Sequence, residues 1–200
     1  LLWGYFVEPS KKEESSAEKQ WTKCGQVAGN RQSVVNSVSI DALMNSRTHE
    51  FLKVLWVGRM LRWKRVDTLI KAVGCLLKEG RNIQLTLVGH GPEESRLRKL
   101  SDQILKRLSA AGAASDIRSS ASGLSSQEEP LITFHPPVPI AQVRDFMRQA
   151  DVYVLPSDGG EGWGAVVNEA MEEGCSVIAT HECGAGATMI KDGQNGLLFR

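Results

Sequence analysis

The sequence predicts an α/β fold, a doubly wound parallel (Rossmann-like) sheet with helices on both faces, and three observations carry that prediction. Short runs rich in valine, isoleucine and leucine recur from Leu52 onward, with the length and content of buried strands. Between them lie stretches whose apolar residues return at helical spacing on one side. Glycine-rich loops follow the strand ends, and regular strand–helix alternation gives a parallel sheet covered on both faces.

The elements follow in order. Leu1 to Val7 reads as one strand or its end, and residues 8–50 turn polar and lose all period, as a linker or mobile insertion does. Leu52 to Val57 is a buried strand ended by Gly58. Val66, Leu69, Ile70, Val73, Leu76 and Leu77 form one helical stripe closed by Gly80. Ile83 to Val88 is the next strand, ended by Gly89, and Pro92 fits the first position of a helix with Leu97, Leu100, Ile104 and Leu108 inward. Residues 110–129 are rich in Ala, Ser and Gly and read as a surface insertion. Leu131 to Phe134 is a third strand, before the stiff His135-Pro136-Pro137-Val138-Pro139 turn and a helix carrying Val143, Phe146, Met147 and Ala150. A strand at Val152 to Leu155, a glycine loop and a helix follow. Then come a strand at Ser176 to Thr180, a short helix in the GAGATMI stretch, and a last strand at Leu197 to Phe199.

Bulk properties narrow the function. Two hundred residues suit one ordinary domain with extra loops, and a net charge of +1 argues against a binder of nucleic acid. No apolar run is long enough to cross a bilayer, and the opening LLWGYFV lacks the basic flank of a signal peptide. Cys24, Cys75, Cys175 and Cys183 have no CxxC spacing, which reads as reduced core thiols in a cytoplasmic setting. Cys183 lies two residues after His181, but no further ligand stands at matching spacing for a metal.

The richest chemistry lies in DVYVLPSDGGEGWGAVVNEAMEEG, from Asp151 to Gly174. A strand, a loop with glycines at 159, 160, 162 and 164, and a helix would offer backbone amides to an anion. Glu161 stands in the loop and Glu169 in the second turn of the helix, with seven residues between them. A carboxylate accepts well from sugar hydroxyls. The competing reading is a solvated helix with acids near its positive end. Gly58-Arg59 ends the first strand with Lys64 five residues beyond Arg59, a pair of cations suited to a diphosphate, although Arg62 and Arg65 beside them fit an ordinary solvated cluster.

EGWG-AVVNEAMEEG, flanked by ADVYVLPS and SVIAT, resembles the donor-site signature of the retaining GT-B glycosyltransferases of family 4 (group 1 type). GRMLRWKRVDTLIKA resembles the same family's Gly-Arg, four residues, Lys segment, and VGHGP its VGxGP turn, with His90 where an Asp is common. The resemblance covers residues 51–200 and implies the C-terminal, nucleotide-sugar (donor) binding domain of a two-domain enzyme, C-terminally truncated. It makes residues 1–7 the end of the acceptor domain and the chain alone inactive. Carried over, Arg59 and Lys64 hold the donor's diphosphate, with Gly58 at the turn between strand and cations. Glu169 binds the ribose, and Glu161 meets the transferred sugar with Gly162, Trp163 and Gly164 alongside.

The chemistry so implied is transfer of a sugar from a nucleoside-diphosphate sugar, of UDP or GDP type, with retention. No metal or other cofactor is expected. The acceptor would be a saccharide or a lipid-linked glycan in cell-surface polysaccharide synthesis, met through an N-terminal domain, with peripheral association at the inner membrane face. Two alternatives stay open: a non-transferase nucleotide-sugar enzyme such as an epimerase on the same fold, and a catalytically silent binding module. A dinucleotide fingerprint in VGHGPEE is disfavoured because Glu94 stands where its third glycine belongs.

Overall fold

A computed structural model of the chain describes residues 51–110 and 130–200. The expectations for residues 1–7, for residues 8–50 and for 111–129 fall outside them.

Strands β1 (Leu52–Val57), β2 (Ile83–Val88), β3 (Ile132–His135), β4 (Val152–Leu155), β5 (Ser176–Thr180) and β6 (Leu197–Phe199) form one sheet. Its order is β3-β2-β1-β4-β5-β6 and every pairing is parallel. Helices α1 (Val66–Lys78) and α2 (Glu94–Ala110) join the first three strands, and α3 (Ile140–Gln149) carries the chain back from β3 to β4. Helices α4 (Val166–Glu172) and α5 (Gly184–Met189) complete the second half.

Alternation along the strands divides the core between the two faces of the sheet. Leu52, Val54 and Trp56 of β1 and Val152 and Val154 of β4 point into a cluster with Leu69, Ile70, Val73 and Leu77 of α1 and Leu97 and Leu108 of α2. Leu55, Tyr153 and Leu155 point the other way, against Met147 of α3, Val167 and Ala170 of α4 and Ala185 of α5. A side-chain period of two on a doubly covered sheet requires this apolar run on both faces.

Three boundaries differ from the sequence reading. Strand β3 runs Ile132–His135 rather than Leu131–Phe134, because His135 stays in register with Val88 and its carbonyl accepts from the Gly89 amide at 3.0 Å. Helix α2 starts at Glu94, not at Pro92: the Glu93 amide donates to the Met60 carbonyl at 3.1 Å, which ties this turn to the loop after β1. Helix α4 opens at Val166, so Glu169 lies in its first turn and not its second.

Where β1 and β2 end, their loops pack without a gap. Gly89 adopts φ 130°, and a Cβ there would lie 1.9 Å from the Gly58 carbonyl oxygen. Only glycine allows both the backbone angle and the approach.

Candidate functional site

The chain leaves β1 toward β2 and leaves β4 toward β5, so β1 and β4 flank the point where the winding reverses. Ligands of open parallel sheets bind outside the carboxyl ends of the strands at such a point. The loops that meet there are residues 58–65 after β1 and 156–165 after β4. They are joined directly: the Asp158 amide donates to the Trp63 carbonyl at 2.8 Å, and the Trp63 ring lies against the backbone of Gly160.

A short 3-10 turn, Arg62–Lys64, followed by Arg65 in the left-handed region at φ 50°, turns Lys64 back toward the sheet. Its ammonium pairs with Glu161 Oε2 and lies 4.5 Å from the centroid of the Trp63 ring. The two paired side chains are only 15% and 10% exposed. Ser157, buried at the end of β4, donates from Oγ to the same Glu161 oxygen at 2.7 Å.

Beneath them Tyr153 is fully buried, and its hydroxyl donates to the Val57 carbonyl at 3.4 Å. Burial, followed by the nearby Glu161 and Glu169 charges, pushes this phenol far above its ordinary value of 10.0. Tyr153 is therefore a neutral floor under two acids. Cys183 caps α5, accepting at Sγ from the Gly186 amide at 3.3 Å, and burial raises its thiol pKa in the same way.

Lys64, Glu161 and Glu169 line one cavity of roughly 390 Å³, with Gly58, Gly164 and an apolar wall of Val138, Ile140, Val143 and Val166. A second lobe of roughly 270 Å³ holds Arg59, Gly89, His90 and Pro137. The lobes share Val57, Gly58, Val138 and Val143, so they are two parts of one groove with Gly58 at the junction.

The sequence-predicted residues therefore divide. Lys64, Glu161, Glu169, Gly58 and Gly164 come together in the larger lobe, while exposed Arg59 stands in the smaller one. Gly162 and Trp163 line neither lobe. The Trp163 indole packs on Gly184 and donates from Nε1 to Asn168 Oδ1 at 3.1 Å, with half its surface exposed. Ser157, Tyr153 and the wall residues Val138 and Ile140 did not stand out in the sequence. Ser157 stood within the quoted ADVYVLPS run, and its partnership with Glu161 depends on the path of a glycine loop. Among the described residues no group of His, Cys, Asp and Glu side chains could hold a metal ion.

The profile of the family described as glycosyl transferases group 1 matches residues 52–200. The chain belongs to this family. Among relatives of this glycosyltransferase domain, the D-inositol 3-phosphate glycosyltransferase of Arthrobacter sp. is 33% identical over 148 residues, which cover 72% of this chain and 30% of that protein. The phosphatidyl-myo-inositol mannosyltransferase of Mycobacterium tuberculosis is 27% identical over 165 residues, covering 82% of this chain and 37% of that one. The glycosyltransferase chain thus spans about a third of the length of these curated relatives.

Solved structures share the fold. The C-terminal domain of a group 1 family glycosyl transferase from Francisella tularensis superposes with a TM-score of 0.55 at 21% identity, over 82% of this chain and 75% of that one. TarM of S. aureus superposes with a TM-score of 0.58 at 18% identity, over 77% of this chain and 27% of that one. No helix among the described residues is long and apolar enough to cross a membrane.

Proposed function

We propose that this chain binds the nucleoside-diphosphate sugar of a retaining glycosyltransferase, and that Arg59, Lys64, Glu161 and Glu169 are the groups that hold it. The observation that carries the reading is the larger lobe, where one cation and two carboxylates from opposite halves of the sheet line a single cavity. The diphosphate sits over Gly58, where the lobes meet, with Lys64 on one side and Arg59 on the other. There the absence of a side chain lets the phosphate oxygens approach the backbone. Glu169 accepts from the ribose hydroxyls, and the base lies against the apolar wall of Val138, Ile140 and Val143.

The transferred sugar lies over Glu161. As the bond between the anomeric carbon and the diphosphate oxygen breaks, negative charge grows on the leaving group. Lys64 is held by Glu161 and Trp63 before that charge appears, so its share of the stabilisation needs little reorganisation. Arg59 adds a planar fork for phosphate oxygens and Lys64 a point charge. The TarM structure of this fold is a complex with UDP, which supports a uridine diphosphate donor here by analogy. Retention, a cytoplasmic setting and an acceptor in cell-surface glycan synthesis belong to the same reading.

Isothermal calorimetry with UDP, GDP, UDP-glucose and GDP-mannose tests the donor site. Binding of one nucleotide and its sugar, weakened in Glu169→Ala, supports the reading; a folded sample that binds none of the four refutes it. In turnover, the anomeric coupling constant of the product distinguishes retention from inversion.

A further inference from the structure

We propose that Ser157 is a positioning residue whose hydroxyl fixes the rotation of the Glu161 carboxylate, so that Oε2 faces the protein and Oε1 faces the donor sugar. The inference deepens the function proposed above and rests on Glu161 as the group that meets the transferred sugar.

A glutamate carboxylate turns easily about its last torsion, which is broad and nearly two-fold. Lys64 alone would not stop that turning. An ammonium is a compact point charge with three rotating donors, and either carboxylate oxygen satisfies it. Ser157 differs in being 1% exposed, two residues beyond the end of β4, with its Oγ one carbon from the backbone rather than at the end of a long flexible stem.

The Ser157 hydrogen bond to Glu161 measures 2.7 Å, within the short range of hydroxyl–carboxylate contacts. It ends on Oε2, the oxygen that also takes Lys64. Both protein donors thus converge on one oxygen. Glu161 Oε1 has no partner among the described residues, and Glu161 lines the cavity.

Lys64 is held in turn. Its ammonium rests over Trp63, whose ring lies against Gly160 and whose carbonyl accepts from Asp158. The loop carrying Glu161 and the turn carrying Lys64 are therefore joined without Ser157, which adds its hydrogen bond to Glu161 alone. Ser157 touches neither phosphate nor ribose in this arrangement, so its influence reaches only the sugar.

The test is calorimetry on the 200-residue chain with UDP, GDP, UDP-glucose and GDP-mannose, reading the preference for a nucleotide sugar over its free nucleotide. In S157A that preference falls roughly tenfold, the worth of one hydrogen bond to a charged group, while the free nucleotide binds at its wild-type affinity. S157T keeps the hydroxyl and retains the preference. E161A abolishes it, and adding S157A to E161A changes nothing further, as expected for a residue that acts through Glu161.

A preference lost in E161A but unchanged in S157A overturns the role of Ser157 and leaves the donor site standing. Equal losses in S157A and S157T also overturn it, since the hydroxyl would then be irrelevant. A folded wild-type chain that binds none of the four probes overturns this inference and the donor site together.

Discussion

Replacing Lys64 by methionine probes the site most sharply, because the change acts on stability and on ligand at once. Met keeps an unbranched apolar chain at this position and removes the charge that lies over Trp63. Among the described residues the Glu161 carboxylate is then left with one partner, Ser157, in a place where its side chain is 10% exposed. An exposed ion pair contributes at most about 1 kcal/mol, and breaking a buried one costs about 3–5 kcal/mol. A pair at 15% and 10% exposure lies toward the buried limit, so a loss of about 2–3 kcal/mol is expected. Urea unfolding reads it as a lower midpoint at unchanged slope. On the ligand side, one charge-assisted bond to phosphate is lost, and affinity for free nucleotide should fall roughly tenfold to a hundredfold. Lys71→Met is the control, since Lys71 is 47% exposed beside Asp67 and should shift stability by less than about 1 kcal/mol. A Lys64→Met protein that is folded and binds nucleotide like wild type would refute the assignment of Lys64 to the phosphates.

Other outcomes follow from the same structure. Gly89→Ala places a Cβ 1.9 Å from the Gly58 carbonyl oxygen at φ 130° and should cost about 3 kcal/mol or more, read by thermal or urea unfolding. Tyr153 and Cys183 both titrate above their ordinary values of 10.0 and 9.0, so above those values the unfolded chain holds fewer protons than the folded one. Their contribution to stability is whole below about pH 9 and declines as pH rises, with a limiting slope of about 1.4 kcal/mol per pH unit for each proton. Tyr153→Phe should flatten the alkaline limb, measured by urea unfolding between pH 8 and 11. Cys175 and Cys183, both buried, should resist iodoacetamide in the folded protein and react on unfolding, as peptide mapping by mass spectrometry would report.

Much of this architecture was legible because the punctuation is strong. β1 and β2 end at Gly58 and Gly89, and the stripe from Val66 to Leu77 faces the core as its spacing requires. The errors arose where a long-range bond outweighed a local preference. His135 looked like part of a proline turn but extends β3, and Pro92 looked like a helix start although the Glu93 amide is drawn to Met60.

Within the candidate site, the division of the charged residues between two lobes was not legible in the sequence. Arg59 and Lys64 read as neighbours, yet the 3-10 turn and the left-handed Arg65 send them to different lobes. Trp163 entered the expected site through its place between Gly162 and Gly164, and the packing of its ring on Gly184 and Asn168 was not legible. Ser157 and Tyr153 were passed over because their partners, Glu161 and Val57, are set by loop path and strand order. No local pattern encodes those.

The ladder between β1 and β4 matches two residue pairs, Val54 with Val152 and Leu55 with Tyr153, whereas β1 and β2 match six. This short seam divides the half that carries both cations from the half that carries both acids. An occupant that grips all four works as a rivet across the thinnest part of the sheet. Amides of β4 should then exchange more slowly when the groove is filled, so the domain would sense its cargo along its own midline.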